Sequence, residues 1–89
     1  MTEQTISNHL RRLRFEHGQM SQAALAKIVG VTRQTIVALE TGRYAPSLEL
    51  AMRLAAVFGV GVDDVFHWID GKKARATWRR ETGGDNGET

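Results

Sequence analysis

Glycines at positions 18, 30, 42 and 59 divide the sequence into short segments, and each segment carries apolar residues at helical spacing. Glycine takes the left-handed backbone conformation that commonly follows a helix, so a glycine behind an apolar stripe reads as a helix stop. Ile6, Leu10 and Leu13 recur at i, i+4 and i+7 and predict a first helix from about Ile6 to His17, ended by Gly18. Ser21 is a natural cap for Gln22–Val29, with Leu25, Ile28 and Val29 expected inward, and Gly30 stops it. Thr32 caps Arg33–Thr41, which turns Ile36 and Leu39 inward before Gly42. Ser47 caps Leu48–Phe58, with Leu50, Leu54 and Val57 on one stripe and Ala51, Ala55 and Phe58 beside it. Val62–Phe66 reads as a short fifth helix whose Asp63 and Asp64 suit the positive end of the helix dipole. Strand signals are absent from residues 1–60, so the expected fold is all-α.

Composition narrows the function classes. Eighty-nine residues make one small domain. Without cysteine there is no disulfide framework, zinc ribbon, iron–sulfur site or thiol nucleophile. Neither a membrane-spanning apolar run nor the apolar core of a signal peptide is visible, which predicts a cytoplasmic protein. Charge is patterned: residues 1–46 hold six basic against three acidic side chains, residues 47–66 one against three, and residues 67–80 five against one. A basic first half suits a module that faces a polyanion.

Within Gln22–Glu40, two short helices are joined by a turn containing glycine, which defines a helix-turn-helix. Ala26 is small where the helix axes cross, Gly30 can adopt the positive φ of the turn, and Leu25, Val29, Val31, Ile36 and Leu39 supply the apolar wedge between the helices. If Ile36 and Leu39 face inward, steps of about 100° per residue put Gln34, Val37, Ala38 and Thr41 on the opposite face, flanked by Arg33 and Thr35. The first turns of such a recognition helix reach base edges. Gln34 can bridge adenine N6 and N7, and Arg33 can reach guanine O6 and N7 or a phosphate. Val37 and Ala38 allow close approach to thymine methyl groups. Gln22 begins a helix whose free N–H groups attract anions. Thr32 can cap its helix or touch a phosphate, and both readings stand.

From about Asn8 to Phe66 the chain resembles the XRE family of lambda-repressor-like DNA-binding domains. The resemblance rests on Leu13-Arg14…Gly18, Ser21-Gln22, Leu25-Ala26 and the run Gly30-Val31-Thr32-Arg33-Gln34-Thr35-Ile36. It continues through Leu39-Glu40…Gly42…Tyr44…Pro46-Ser47-Leu48 to Asp63-Asp64-Val65-Phe66. The family implies a compact five-helix domain that binds operator DNA, usually as a homodimer. It also implies phosphate contacts from Gln22, Arg43 and Tyr44, and pairs Arg14 with Glu40 as a strut that can offer its own guanidinium to the DNA backbone. Thr35, on the flank of the recognition face, is expected at a phosphate as well. One departure is visible: Gly18-Gln19-Met20-Ser21 is a residue longer than the commoner junction, which can shift the first helix without reaching the recognition surface.

Other groupings read as structural. His9, His17 and His67 lack metal-ligand spacing, and Arg11 and Arg12 read as solvated surface. Adjacent Asp63 and Asp64 point about 100° apart and do not form a catalytic pair. With no phosphate loop, no nucleophile motif and a shallow core, the chain is expected to be neither an enzyme nor a cofactor binder.

The expected organisation is a helix-turn-helix domain over residues 1–66, a short C-terminal extension over 67–82 and a disordered tail over 83–89. Trp68, Ile69 and Trp78 can complete the core, form a dimer contact or receive a partner protein. The basic cluster at 72–80 can extend a DNA footprint or stay solvated. Phe15 falls opposite the stripe of the first helix and is expected exposed unless the tail covers it. The leading functional expectation is a homodimeric, sequence-specific regulator, more naturally a repressor, with half-site centres about 34 Å apart or a multiple of that. Its rival is an antitoxin that binds a toxin protein and autoregulates its operon. A third is a helical adaptor that never meets DNA.

Overall fold

The computed structural model describes residues 5–69. In chain order the elements are β1 (Ile6–Asn8), α1 (Leu10–Glu16), α2 (Gln22–Val29), α3 (Arg33–Glu40), α4 (Leu48–Phe58), α5 (Val62–Val65) and β2 (Phe66–Trp68). Trp78, the 72–80 basic cluster and the 83–89 tail lie outside the described residues.

Five helices form as the glycine punctuation predicts, and three are capped by the expected hydroxyls. Ser21 Oγ accepts from Ala24 N–H at 2.9 Å, Thr32 Oγ1 from Thr35 N–H at 3.3 Å, and Ser47 Oγ from Leu50 N–H at 3.1 Å. Each such cap satisfies an amide with no partner inside the helix and contributes about 1 kcal/mol. Gly30, at φ 81°, follows α2. Its amide and that of Val31 both donate to the Ala26 carbonyl, closing the helix and turning the chain into α3.

Leu10, Leu25, Ile36, Leu39, Leu54 and Val65 have the largest fully buried side chains, so every helix contributes to one core. Among the described residues no polar or charged residue is buried to that degree. Fully burying each of these aliphatic side chains is worth roughly 1.5–3 kcal/mol, which makes this cluster the main source of stability. Ala26, 3% exposed, lets α2 and α3 approach.

The segments flanking the helices depart from expectation. Ile6 is not helical: β1 pairs antiparallel with β2 in the register Ile6↔Trp68, Ser7↔His67, Asn8↔Phe66. The cause lies at Asn8 and His9. Asn8 Oδ1 accepts from Leu10 N–H at 3.1 Å, and His9 N–H donates to the Val65 carbonyl at 2.8 Å. A short polar side chain that competes for nearby backbone amides ends a helix. The backbone upstream is thereby released to pair with Phe66–Trp68. Phe66 likewise leaves α5 for an extended conformation, φ −114° and ψ 141°. β2 spans the position at which the C-terminal extension is expected to begin, and Ile69 N–H still donates to the Thr5 carbonyl at 3.0 Å. The described residues are therefore mostly helical, with a minor two-stranded ribbon joining the segment before α1 to the segment after α5.

Two side chains need separate mention. Ile28, expected inward, is 58% exposed, because Leu25, Ala26 and Val29 already fill the inner face of α2. Phe15 is 66% exposed, so no described residue covers it.

Candidate nucleic-acid interface

α2 and α3 pack through Leu25, Ala26, Val29, Ile36 and Leu39, which leaves their N-termini and the outer face of α3 in solvent. Arg33 and Gln34, in the first turn of α3, are exposed. Thr35, Val37 and Ala38 are half-buried, so that face is low in relief beyond the two long polar side chains. Thr41 continues the face and turns its hydroxyl back to the Val37 and Ala38 carbonyls at 3.0 and 3.2 Å. In the following loop Arg43 and Tyr44 are both exposed. Thr32 is exposed but occupied, accepting from Thr35 N–H and lying 3.1 Å from the Thr35 hydroxyl.

A chain of polar contacts fixes this surface from behind. Arg14 grips Glu40 bidentately, Nε to Oε2 at 2.6 Å and Nη2 to Oε1 at 2.9 Å, and its Nη1 donates to the Met20 carbonyl at 2.8 Å. The two side chains are only 13% and 8% exposed. Glu40 Oε1 also accepts from Gln22 Nε2 at 3.1 Å, and Gln22 Oε1 accepts from Arg33 Nη2 at 3.1 Å. The series Met20–Arg14–Glu40–Gln22–Arg33 thus links the end of α1, the C-terminus of α3, the start of α2 and the start of α3. Bidentate, charge-assisted contacts carry geometric precision as well as energy. Arg33 is therefore oriented before any ligand arrives.

The structure brings Arg14, Gln22 and Arg33 into one network and places Gln34, Val37 and Ala38 on the outer face of α3 beside it. Arg43 and Tyr44 stand apart, one loop further on. Several contacts lay beyond sequence reasoning. Asn8 Nδ2 donates to the Leu39 carbonyl at 2.9 Å across 31 residues, satisfying an acceptor in the last turn of α3. Arg11, read as plain surface, shares with Asn8, Arg14, Gln22, Glu40 and Thr41 an open recess of about 560 Å³ next to α3. His9 stacks on His67 with ring centroids 4.4 Å apart and planes 19° from parallel. Burial holds the His9 imidazole below the usual histidine range, with the Arg12 guanidinium and His67 adding to the effect. Only the i,i+3 position of Arg14 relative to Arg11 hinted at any of these.

Among the described residues no cluster of three metal-ligating side chains exists, and no helix is long and apolar enough to cross a membrane.

A helix-turn-helix family model matches residues 10–65, from the start of α1 to the end of α5. An uncharacterized HTH-type transcriptional regulator of Methanocaldococcus jannaschii, MJ0272, is 46% identical over 65 residues, covering 73% of this chain and 97% of the relative. The crystal structure of a hypothetical transcription factor from Neisseria, NHTF, superposes with a TM-score of 0.59 at 25% identity, covering 76% of each chain. The hydroxypropylphosphonic acid epoxidase of S. wedmorenis contains a similar fold, with a TM-score of 0.56 at 32% identity over 70% of this chain but only 35% of the enzyme. Matched over residues 10–65 by the family model and over 73% of its length by a regulator 46% identical to it, the chain belongs to the XRE-type helix-turn-helix family of DNA-binding transcriptional regulators.

Proposed function

We propose that this chain is a sequence-specific regulator that binds a two-fold-symmetric DNA operator as a homodimer and represses transcription by occluding the promoter. α3 enters the major groove. Arg33 reads guanine, Gln34 reads adenine, and Val37 with Ala38 packs against thymine methyl groups. Gln22, Thr32, Thr35, Arg43 and Tyr44 bind phosphates and set the register, while Arg14 acts mainly as the strut behind them. The work is binding rather than catalysis, and its natural place is the cytoplasm.

The observation that carries this reading is the polar chain ending at Arg33. An ion pair whose side chains are only 13% and 8% exposed is costly to desolvate, and here the chain that continues from it through Gln22 orients an exposed arginine at the start of α3. Such pre-organisation suits a side chain that must make a directional contact with a base edge.

Selection from a random DNA pool at about 0.15 M salt tests the proposal, because non-specific phosphate binding is strongly screened there. A recovered palindromic motif with half-sites one or two helical turns apart supports it. Recovery of no motif contradicts it.

A further inference from the structure

α4 is apolar nearly all the way round. Leu50, Ala51, Leu54, Ala55 and Phe58 face the core, yet Leu48 is 73% exposed, Met52 is 56% exposed and Ala56 is exposed as well. These three recur at i, i+4 and i+8 and form one stripe on the outer surface. A surface helix ordinarily carries polar residues there, and an exposed contiguous apolar strip marks a contact surface. The only charged residues of α4, Glu49 and Arg53, lie together on one flank of the stripe and pair with each other.

We infer that this stripe is where a second copy of the chain docks, α4 against α4 in antiparallel packing about a two-fold axis near Met52. The inference rests on the dimeric reading given above and supplies the surface for it. The charges select this occupant. A two-fold axis perpendicular to both helices keeps the Glu49/Arg53 flank of each copy on the same side. With a rise of about 1.5 Å per residue and the axis at Met52, Glu49 of one copy lies within about 3 Å, along the helix axis, of Arg53 of the other. The same holds in reverse, so the patch is electrostatically self-complementary, as an isologous interface requires. Met52 meets Met52, and Leu48 packs beside Ala56 of the other copy. Three side chains per copy make a small interface, so dimerisation is weak in solution and DNA completes it.

Sedimentation equilibrium of the full chain, without DNA, tests this. Glu49→Arg makes the flank wholly basic, and Arg53→Glu makes it wholly acidic. Each variant alone should self-associate at least about tenfold more weakly than wild type, because like charges then face each other. An equimolar mixture of the two should regain association as a heterodimer, which damage within either monomer cannot produce. Met52→Lys brings two ammonium groups together at the axis and should also abolish association, while leaving the contact of Arg53 with the Val29 carbonyl intact. A wild type that stays monomeric up to about millimolar concentration, or a mixture no better than its components, overturns the inference. Binding of these variants to a single half-site duplex reports separately on base reading. If the charge pattern governs association while wild type binds no DNA, the interface stands and the DNA-binding reading falls.

Discussion

Gln22 shows how a contact can serve two purposes. Its position at the first turn of α2 suits a phosphate, and a phosphate contact alone would make Gln22→Ala weaken every DNA sequence alike. Its Oε1 also holds Arg33 Nη2 at 3.1 Å. Gln22→Ala should therefore lower affinity for all sequences and, in addition, relax preference at the base pair proposed for Arg33. Gln34 makes no such side-chain bridge among the described contacts, so Gln34→Ala should cost about 1–3 kcal/mol at the preferred site and relax one base position. Competition binding against single-base variants of the site distinguishes the two patterns. Residue by residue, the outward face of α3 was legible because helical period fixes it once Ile36 and Leu39 are inward. The Gln22–Arg33 bridge was not, because eleven residues and a turn separate the partners and only the crossing of two helices brings them together. Ile28 faces outward for a related reason: Leu25, Ala26 and Val29 take the space on the inner face of α2 that helical period alone would also allow Ile28.

At the scale of elements, the Arg14–Glu40 pair joins α1 to the end of α3. Because the side chains are only 13% and 8% exposed, Glu40→Ala leaves a guanidinium largely desolvated with one carbonyl for company. It should destabilise the fold by about 3 kcal/mol, the lower end of the range for breaking a buried pair, measured as a shift in the urea midpoint. A change below about 1 kcal/mol would show that solvent already screens the pair. The pair was readable only through family resemblance, since nothing in local spacing connects positions 14 and 40. The helices themselves were readable from serine, threonine and glycine at their ends. The β1–β2 ribbon was hidden because strands of three residues carry no usable alternation, and because Ile6 happens to continue the stripe of Leu10 and Leu13. The outcome there was decided by Asn8, whose side chain takes the Leu10 amide and so halts the helix.

For the whole molecule, charge and protonation give two further expectations. His9 titrates below the ordinary histidine range in the folded protein, so the unfolded chain binds its proton more readily. The stability tied to His9 is thus fully present above the unfolded-state pKa of about 6.5 and is lost as pH falls from there toward the lower folded value. Thermal melts should show a decline below about pH 6.5 that is smaller in His9→Phe, which keeps a ring against His67 without the titrating group. An equal decline in both proteins would place the cause elsewhere. DNA affinity should fall with salt at a logarithmic slope of about −0.9 for each phosphate neutralised. With two copies on one operator, Arg43→Ala should flatten that slope by about 2 and leave the preferred sequence unchanged.

In the proposed function, α3 reads base sequence while its surroundings hold it in place. The most direct test repeats the random-pool selection with wild type, Gln34→Ala and Arg43→Ala in parallel. Wild type and Arg43→Ala should return the same symmetric motif, and Gln34→Ala a motif that has lost information at one position in each half-site. Identical motifs from all three, or a Gln34→Ala protein that loses affinity evenly across every sequence, would contradict it.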